Sequence, residues 1–82
     1  MNTKELESAL STVIVATRGT LPDAEIDDML ELVRAGEPGV ALENLCTQLE
    51  EYEAHLPGEH TATIVALARH MGIRVAPWVL GV

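Results

Sequence analysis

The residues best suited to metal chemistry are one cysteine and three histidines, Cys46, His55, His60 and His70. Thiolate and imidazole are the usual ligands of zinc. Structural zinc sites, however, take closely paired ligands, and neither a Cys-x-x-Cys nor a His-x-x-x-His pair occurs in the chain. We therefore predict no metal site. Cys46 also lacks a basic neighbour in sequence that would activate its thiol, so we predict that it fills a small space in the core.

Adjacent acids offer a second kind of chemistry, because the pairs Asp27-Asp28 and Glu50-Glu51 present carboxylates side by side. Such pairs on convex helix faces lack the loop that wraps a calcium or magnesium ion. The chain also lacks a glycine-rich phosphate loop, a Gly-x-Ser-x-Gly motif and a His-Glu-x-x-His motif. We therefore expect a protein that is not an enzyme and that uses no cofactor.

Charge is the most informative global property. Thirteen acidic residues against five basic ones give a net charge of −8. Between Asp23 and Glu59 lie eleven of the acids, opposed only by Arg34, so this segment carries −10 and the rest of the chain +2. Such a field repels nucleic acid and attracts a basic protein partner. The alternative is that the charges only keep solvated helix faces soluble.

Apolar spacing of three and four residues predicts the helices that must position these groups. We predict one all-α domain over residues 1–82, with helices at 3–18, 22–35, 38–56 and 59–72. Short turns between neighbouring helices favour a small antiparallel four-helix bundle. Outside the third helix, the core stripes are Leu6, Leu10, Val13, Thr17, Ile26, Met29, Leu30, Val33, Ile64, Leu67, Ala68 and Met71.

The third helix has the longest pattern. Gly36 is suited to end the helix before it, and Pro38 is suited to open the new one. The apolar stripe then contains Leu42, Leu45, Leu49, Tyr52 and Leu56. His55 lies near the predicted carbonyl end of this helix, where a partial negative charge favours it.

The C-terminal tail, residues 74–82, is apolar and contains Pro77, which disfavours a helix through it. We expect the tail to lie extended over the bundle and to bury Trp78. The alternative is that the tail contacts a partner or a second copy in a homodimer, because exposed apolar patches usually mark binding surfaces.

Residues 36–45, with the sequence GEPGVALENL, resemble the GE-x-G-x-ALE-x-L signature of small bacterial immunity proteins of the MafI type. The similarity extends from about Leu21 to Ile73. Proteins of that family neutralise secreted or contact-delivered polymorphic toxins. The resemblance implies a partner that is the C-terminal domain of a cognate toxin, a basic ribonuclease or deoxyribonuclease.

An immunity protein of this kind would use an acidic helical face to occlude the active site or substrate-binding surface of the toxin. We expect the outer faces of helices 2 and 3 to form one continuous patch with an aromatic anchor. The candidate partner-binding residues are Asp27, Asp28, Glu31, Glu43, Glu50, Glu51, Tyr52 and Trp78. The alternative function is a regulatory or adaptor module that dimerises or binds the amphipathic helix of another protein.

The expected location is the cytoplasm. A single cysteine excludes a disulfide framework within one chain. The first apolar run is short and follows Glu5 and Glu7, so we expect no signal peptide. No stretch approaches the apolar length of a membrane span, so we expect no membrane partner.

Overall fold

The computed structural model describes residues 1–81, and these form four helices: α1 (Thr3–Ala16), α2 (Asp23–Arg34), α3 (Pro38–Glu51) and α4 (Gly58–Met71). The predicted all-α four-helix bundle is confirmed, and residues 1–81 contain no strand. Helices α1 and α3 each pack against the three other helices.

The helix ends follow the local sequence. Asn2 opens α1 with a capping box, in which the Glu5 amide donates to Asn2 Oδ1 at 2.8 Å and the Asn2 amide donates to Glu5 Oε1 at 3.2 Å. At the other end, α1 stops at Ala16, two residues before the predicted end. Buried Thr17 follows, and its hydroxyl donates to the Ile14 carbonyl at 2.6 Å.

Glycine ends α2 as predicted. Gly36 takes a left-handed conformation with φ of +80°, and the Glu37 amide donates back to the Leu32 carbonyl at 2.8 Å. The next helix then begins at Pro38, as the sequence indicated. The tight connection fixes α2 and α3 side by side.

The predicted extent of the third helix, to Leu56, is wrong, because α3 ends at Glu51. Glu53 takes the left-handed conformation with φ of +50°, although it is not glycine. The Ala54 amide donates to the Leu49 carbonyl at 2.8 Å, and Ala54 itself is buried. Together these features form the helix-ending motif that usually carries glycine. Tyr52 therefore leaves the predicted stripe and is 50% exposed.

The core is aliphatic, as the composition required. The predicted stripe of the first helix, Leu6, Leu10, Val13 and Thr17, is buried, while Leu30 in α2 and Met71, the last residue of α4, are half-buried. The largest fully buried side chains are Leu10, Val13, Ile14, Thr17, Ile26, Met29, Leu42, Leu45, Leu49, Ile64 and Leu67.

The tail packs on its own chain along α3, and we call residues 73–81 the strap. The Ile73 Cδ1 atom lies 3.5 Å from where a Cβ on Gly39 would be, at the start of α3. Ala76 lies beside Cys46 in the middle of the helix. The Trp78 indole N–H donates to the Ala54 carbonyl at 2.9 Å, beyond the end of α3. The strap therefore follows the whole length of the helix.

The prediction of an extended tail is wrong for the end of the strap. Residues 77–81 fold into successive turns, in which the Leu80 amide donates to the Pro77 carbonyl and the Gly81 amide to the Trp78 carbonyl, each at 3.0 Å. Trp78 is half-buried and Val79 is buried, so packing of the tail on the bundle is confirmed. Val82, the last residue of the predicted tail, lies outside the described residues.

Candidate partner-binding surface

The acidic residues of α2 point to solvent, as predicted. Asp27, Asp28 and Glu31 are exposed because the helix turns Ile26 and Met29 into the core. No charged side chain of this helix is buried, so its carboxylates are available to a partner.

Two arginines of the chain already contact some of these carboxylates. Arg18 lies 3.3 Å from Asp23 and 3.6 Å from Asp27, at the edge between α1 and α2. The Arg34 guanidinium donates to Glu31 Oε2 at 2.9 Å. All of these side chains are largely exposed, and exposed ion pairs contribute only about 0–1 kcal/mol to stability. A basic partner can therefore compete for the carboxylates at little cost.

A groove of about 390 Å³ lies between α2 and α3, and we call it the α2–α3 groove. It is lined by Asp28, Glu31, Leu32, Ala35 and Asn44. Leu32 is half-buried and packs against the core, whereas Ala35 and Asn44 are exposed. The groove therefore has an aliphatic floor, carboxylates on its α2 side and an amide on its α3 side.

Glu43 and Glu50 lie on the other flank of α3. They line a second groove, of about 210 Å³, together with Cys46, Thr47, Arg74 and Ala76. Seven residues make two helical turns, so Glu43 and Glu50 share one face, while Asn44 is turned about 100° away from Glu43. Asp28 and Glu31 therefore line a different groove from Glu43 and Glu50, and the continuous patch expected across helices 2 and 3 stays a prediction.

The remaining candidates lie near the end of α3. Glu51 is the last helical residue and is exposed, and Tyr52 follows it. Trp78 is engaged by its own chain: its indole stacks on the His55 imidazole, with ring centroids 4.4 Å apart and the planes 18° from parallel. Of the two predicted aromatic anchors, Tyr52 is the one that presents its ring to solvent.

Cys46 fills the core beside the strap, as predicted. Burial raises the pKa of its thiol; a hydrogen bond with the Ala76 backbone opposes this in part, and the charge of Glu43 adds a smaller increase. The group therefore stays a neutral thiol at physiological pH. Within residues 1–81, no three His, Cys, Asp or Glu side chains are grouped so that they could hold a metal ion. In the same part of the chain, no helix has both the length and the apolar character to cross a bilayer.

Three features were missed from the sequence. Leu32 and Ala35 fall outside the α2 stripe, and Asn44 is an uncharged residue next to Glu43. Spacing alone gave no signal for Leu32, because single apolar residues off the core stripe are common on helix surfaces. The His55–Trp78 stack joins residues 23 positions apart and depends on the path of the strap, which no local pattern specifies.

The chain matches no protein family, no curated protein and no solved structure to which it was compared. The resemblance of residues 36–45 to the immunity-protein signature therefore depends on that motif and the helix layout.

Proposed function

We propose that this chain is a cytoplasmic, non-enzymatic inhibitor that binds a cognate basic toxin domain of the nuclease class, in the manner of an immunity protein. The observation that carries the proposal is the set of exposed carboxylates on α2, beside the open α2–α3 groove, within a segment of net charge −10. The resemblance of residues 36–45 to the immunity-protein signature indicates a toxin domain of the nuclease class as the partner.

The physical reasoning starts from the partner. A nuclease must be basic around its active site, because affinity for phosphate comes from cations. An acidic helical surface is attracted to the same region, and steering of this kind raises association rates by about 10–10³-fold. Once docked, the bundle blocks the substrate by its bulk and by repelling phosphate.

Affinity also needs contacts that exclude water, since exposed charges mainly govern the encounter. Two features could supply them on the acidic side of the molecule. One is the aliphatic floor of the α2–α3 groove, and the other is Tyr52, whose ring is exposed at the end of α3.

The alternative function is a regulatory or adaptor module that dimerises through its tail or binds the amphipathic helix of another protein, and two observations count against its dimerising form. Trp78 and Val79 pack on their own chain, which leaves Leu80 as the large exposed apolar side chain of the strap. Two copies of a chain with a charge of −8 also repel each other. A dimer in sedimentation at low micromolar concentration, with no affinity for a basic partner, would favour the adaptor.

Co-expression tests the proposed function. If a neighbouring gene encodes a protein with a basic C-terminal domain, that domain is expressed from an inducible promoter with and without this chain. We expect growth arrest without the chain and growth with it. The control is a toxin domain from an unrelated locus, which the chain should not neutralise. Arrest in both cases would overturn the proposal for that partner.

A further inference from the structure

We propose that the α2–α3 groove is the seat of one arginine side chain of the partner protein. This inference rests on the proposed function, to which it adds the position and chemistry of one contact. Exposed carboxylates alone do not identify this groove as the binding site, since Glu43 and Glu50 lie on the opposite flank of α3. The groove combines an aliphatic floor, two acceptor carboxylates and a facing amide.

The floor suits the aliphatic stem of arginine. Leu32 packs against the core, and the small side chain of Ala35, just after α2, leaves room in the groove for the arginine stem. Long basic side chains lay their methylene groups along apolar surface while the charged head stays at a polar rim. A groove of about 390 Å³ that is open to solvent admits such a side chain without a change in the backbone.

The rim suits the guanidinium. Asp28 and Glu31 are three residues apart on α2 and are therefore neighbours on its surface. The chain's own Arg34 already donates to Glu31 at 2.9 Å, which shows that this carboxylate accepts a guanidinium. On the α3 side, the amide oxygen of Asn44 is a further acceptor.

Arginine fits better than lysine for two reasons. Its planar group can donate to several acceptors at once, and it is more weakly hydrated than an ammonium group. The second groove is a poorer seat, because Arg74 already lines it beside Glu43 and Glu50. At the α2–α3 groove, Arg34 pairs with the lining residue Glu31, and this exposed pair is easily exchanged.

The test is a titration of the ¹⁵N-labelled 82-residue chain with a blocked Ala-Ala-Arg-Ala-Ala peptide, followed by amide chemical shifts. We expect saturable shifts centred on Leu32, Ala35 and Asn44, including the Asn44 side-chain amide, with a dissociation constant on the order of 1 mM. The matched peptide carries citrulline, which has nearly the same shape but no charge, and it should cause no saturable shift. Equal binding of the two peptides would overturn the assignment to a cationic side chain.

Three variants locate the seat. Asp28→Asn should weaken binding of the arginine peptide by about threefold, as expected for an exposed charge pair. Glu43→Gln makes the same change of one charge on the other flank and should leave the affinity within about 1.5-fold. Arg34→Gln should tighten binding by about twofold, because it removes the internal competitor for Glu31.

The opposite results distinguish failure of the arginine seat from failure of the proposed function. Saturable shifts centred on Thr47 and Glu50, or equal weakening by Asp28→Asn and Glu43→Gln, would overturn the proposed seat. Peptide binding in the α2–α3 groove together with failed co-expression rescue would contradict only the proposed function. Rescue of growth without saturable shifts in the groove would contradict only the arginine seat.

Discussion

The two flanks of α3 are built from the same helix but face different surroundings. On one flank, the strap covers Gly39 and Cys46 and ends in a hydrogen bond from Trp78 to Ala54. On the other flank, the α2–α3 groove stays open between the exposed carboxylates of α2 and the Asn44 amide of α3. Both flanks carry acidic residues, so charge does not distinguish them.

The strap covers one flank of α3 with the chain's own residues, whereas the groove flank leaves a surface that a partner can contact. The strap flank buries apolar groups and satisfies a tryptophan N–H, so its contacts add to stability. The groove flank has exposed ion pairs that contribute little to stability. We therefore expect substitutions on the strap flank to change unfolding, and substitutions on the groove flank to change binding.

The largest expected effect is on the core between the flanks. Leu45 is fully buried, and Leu45→Ala should lower the free energy of unfolding by about 2–5 kcal/mol, through lost transfer energy and a residual cavity. Guanidinium unfolding followed by helical circular dichroism measures it. Val40→Ala on the exposed side of α3 is the control, with an expected change below about 0.5 kcal/mol. Equal effects of the two variants would place Leu45 outside the core.

Trp78→Ala tests the strap. Full truncation of a buried tryptophan costs about 3–5 kcal/mol, and since Trp78 is half-buried we expect about 2–3 kcal/mol in the same unfolding assay. Cys46 should also react faster with a thiol reagent, because the strap beside it opens more often. Tyr52→Ala is the matched aromatic control on the exposed side. Unchanged stability and thiol reactivity would mean that the strap is not held by Trp78.

Glu53→Gly tests the left-handed turn that ends α3. A left-handed conformation costs a non-glycine residue roughly 1–2 kcal/mol, which the entropy of glycine in the unfolded chain offsets in part. We expect this variant to raise the free energy of unfolding by about 0.5–1 kcal/mol. Glu50→Gly, inside the helix, should lower it by a similar amount. A loss of stability on Glu53→Gly would show that the glutamate side chain itself stabilises this turn.

The smallest effect concerns pH. Burial raises the pKa of Cys46 above its ordinary value of 9.0, so the folded protein holds this proton where the unfolded chain has released it. The stabilisation from the neutral thiol is therefore complete below pH 9.0 and declines as the pH rises further. Thermal unfolding between neutral and alkaline pH should show a steeper loss for the natural chain than for Cys46→Ala. Parallel curves would contradict the burial argument.

The sequence predicted the helices and their inner faces better than it predicted the surface. Spacing of three and four residues placed Leu42, Leu45 and Leu49 in the core, because the period of a helix alone decides which residues share a face. The same spacing wrongly predicted that α3 continues through Tyr52 and Leu56. The helix ends earlier because Glu53 takes the left-handed conformation, and no glycine marks this helix end in the sequence.

The candidate surface was harder to predict, for a geometric reason. Exposure of Asp28, Glu31 and Glu43 follows from helix amphipathicity, so it could be read from spacing. Which carboxylates face the same groove depends on how α2 and the strap pack on either side of α3. In that packing, Glu43 lines a groove together with Arg74, and Asp28 lines the other groove together with Asn44.

The most direct test of the central claim, that the α2 side of the acidic surface captures a basic toxin domain, is the association rate measured by stopped flow over a range of salt concentrations. Reversing Asp27, Asp28 and Glu31 to Lys should slow association by at least about tenfold at low salt and flatten its salt dependence, with the helical signal intact. The triple reversal of Glu43, Glu50 and Glu53, which has the same net change, should slow association by less than about threefold. Equal slowing by both triples, or unchanged kinetics for the first, would contradict the account.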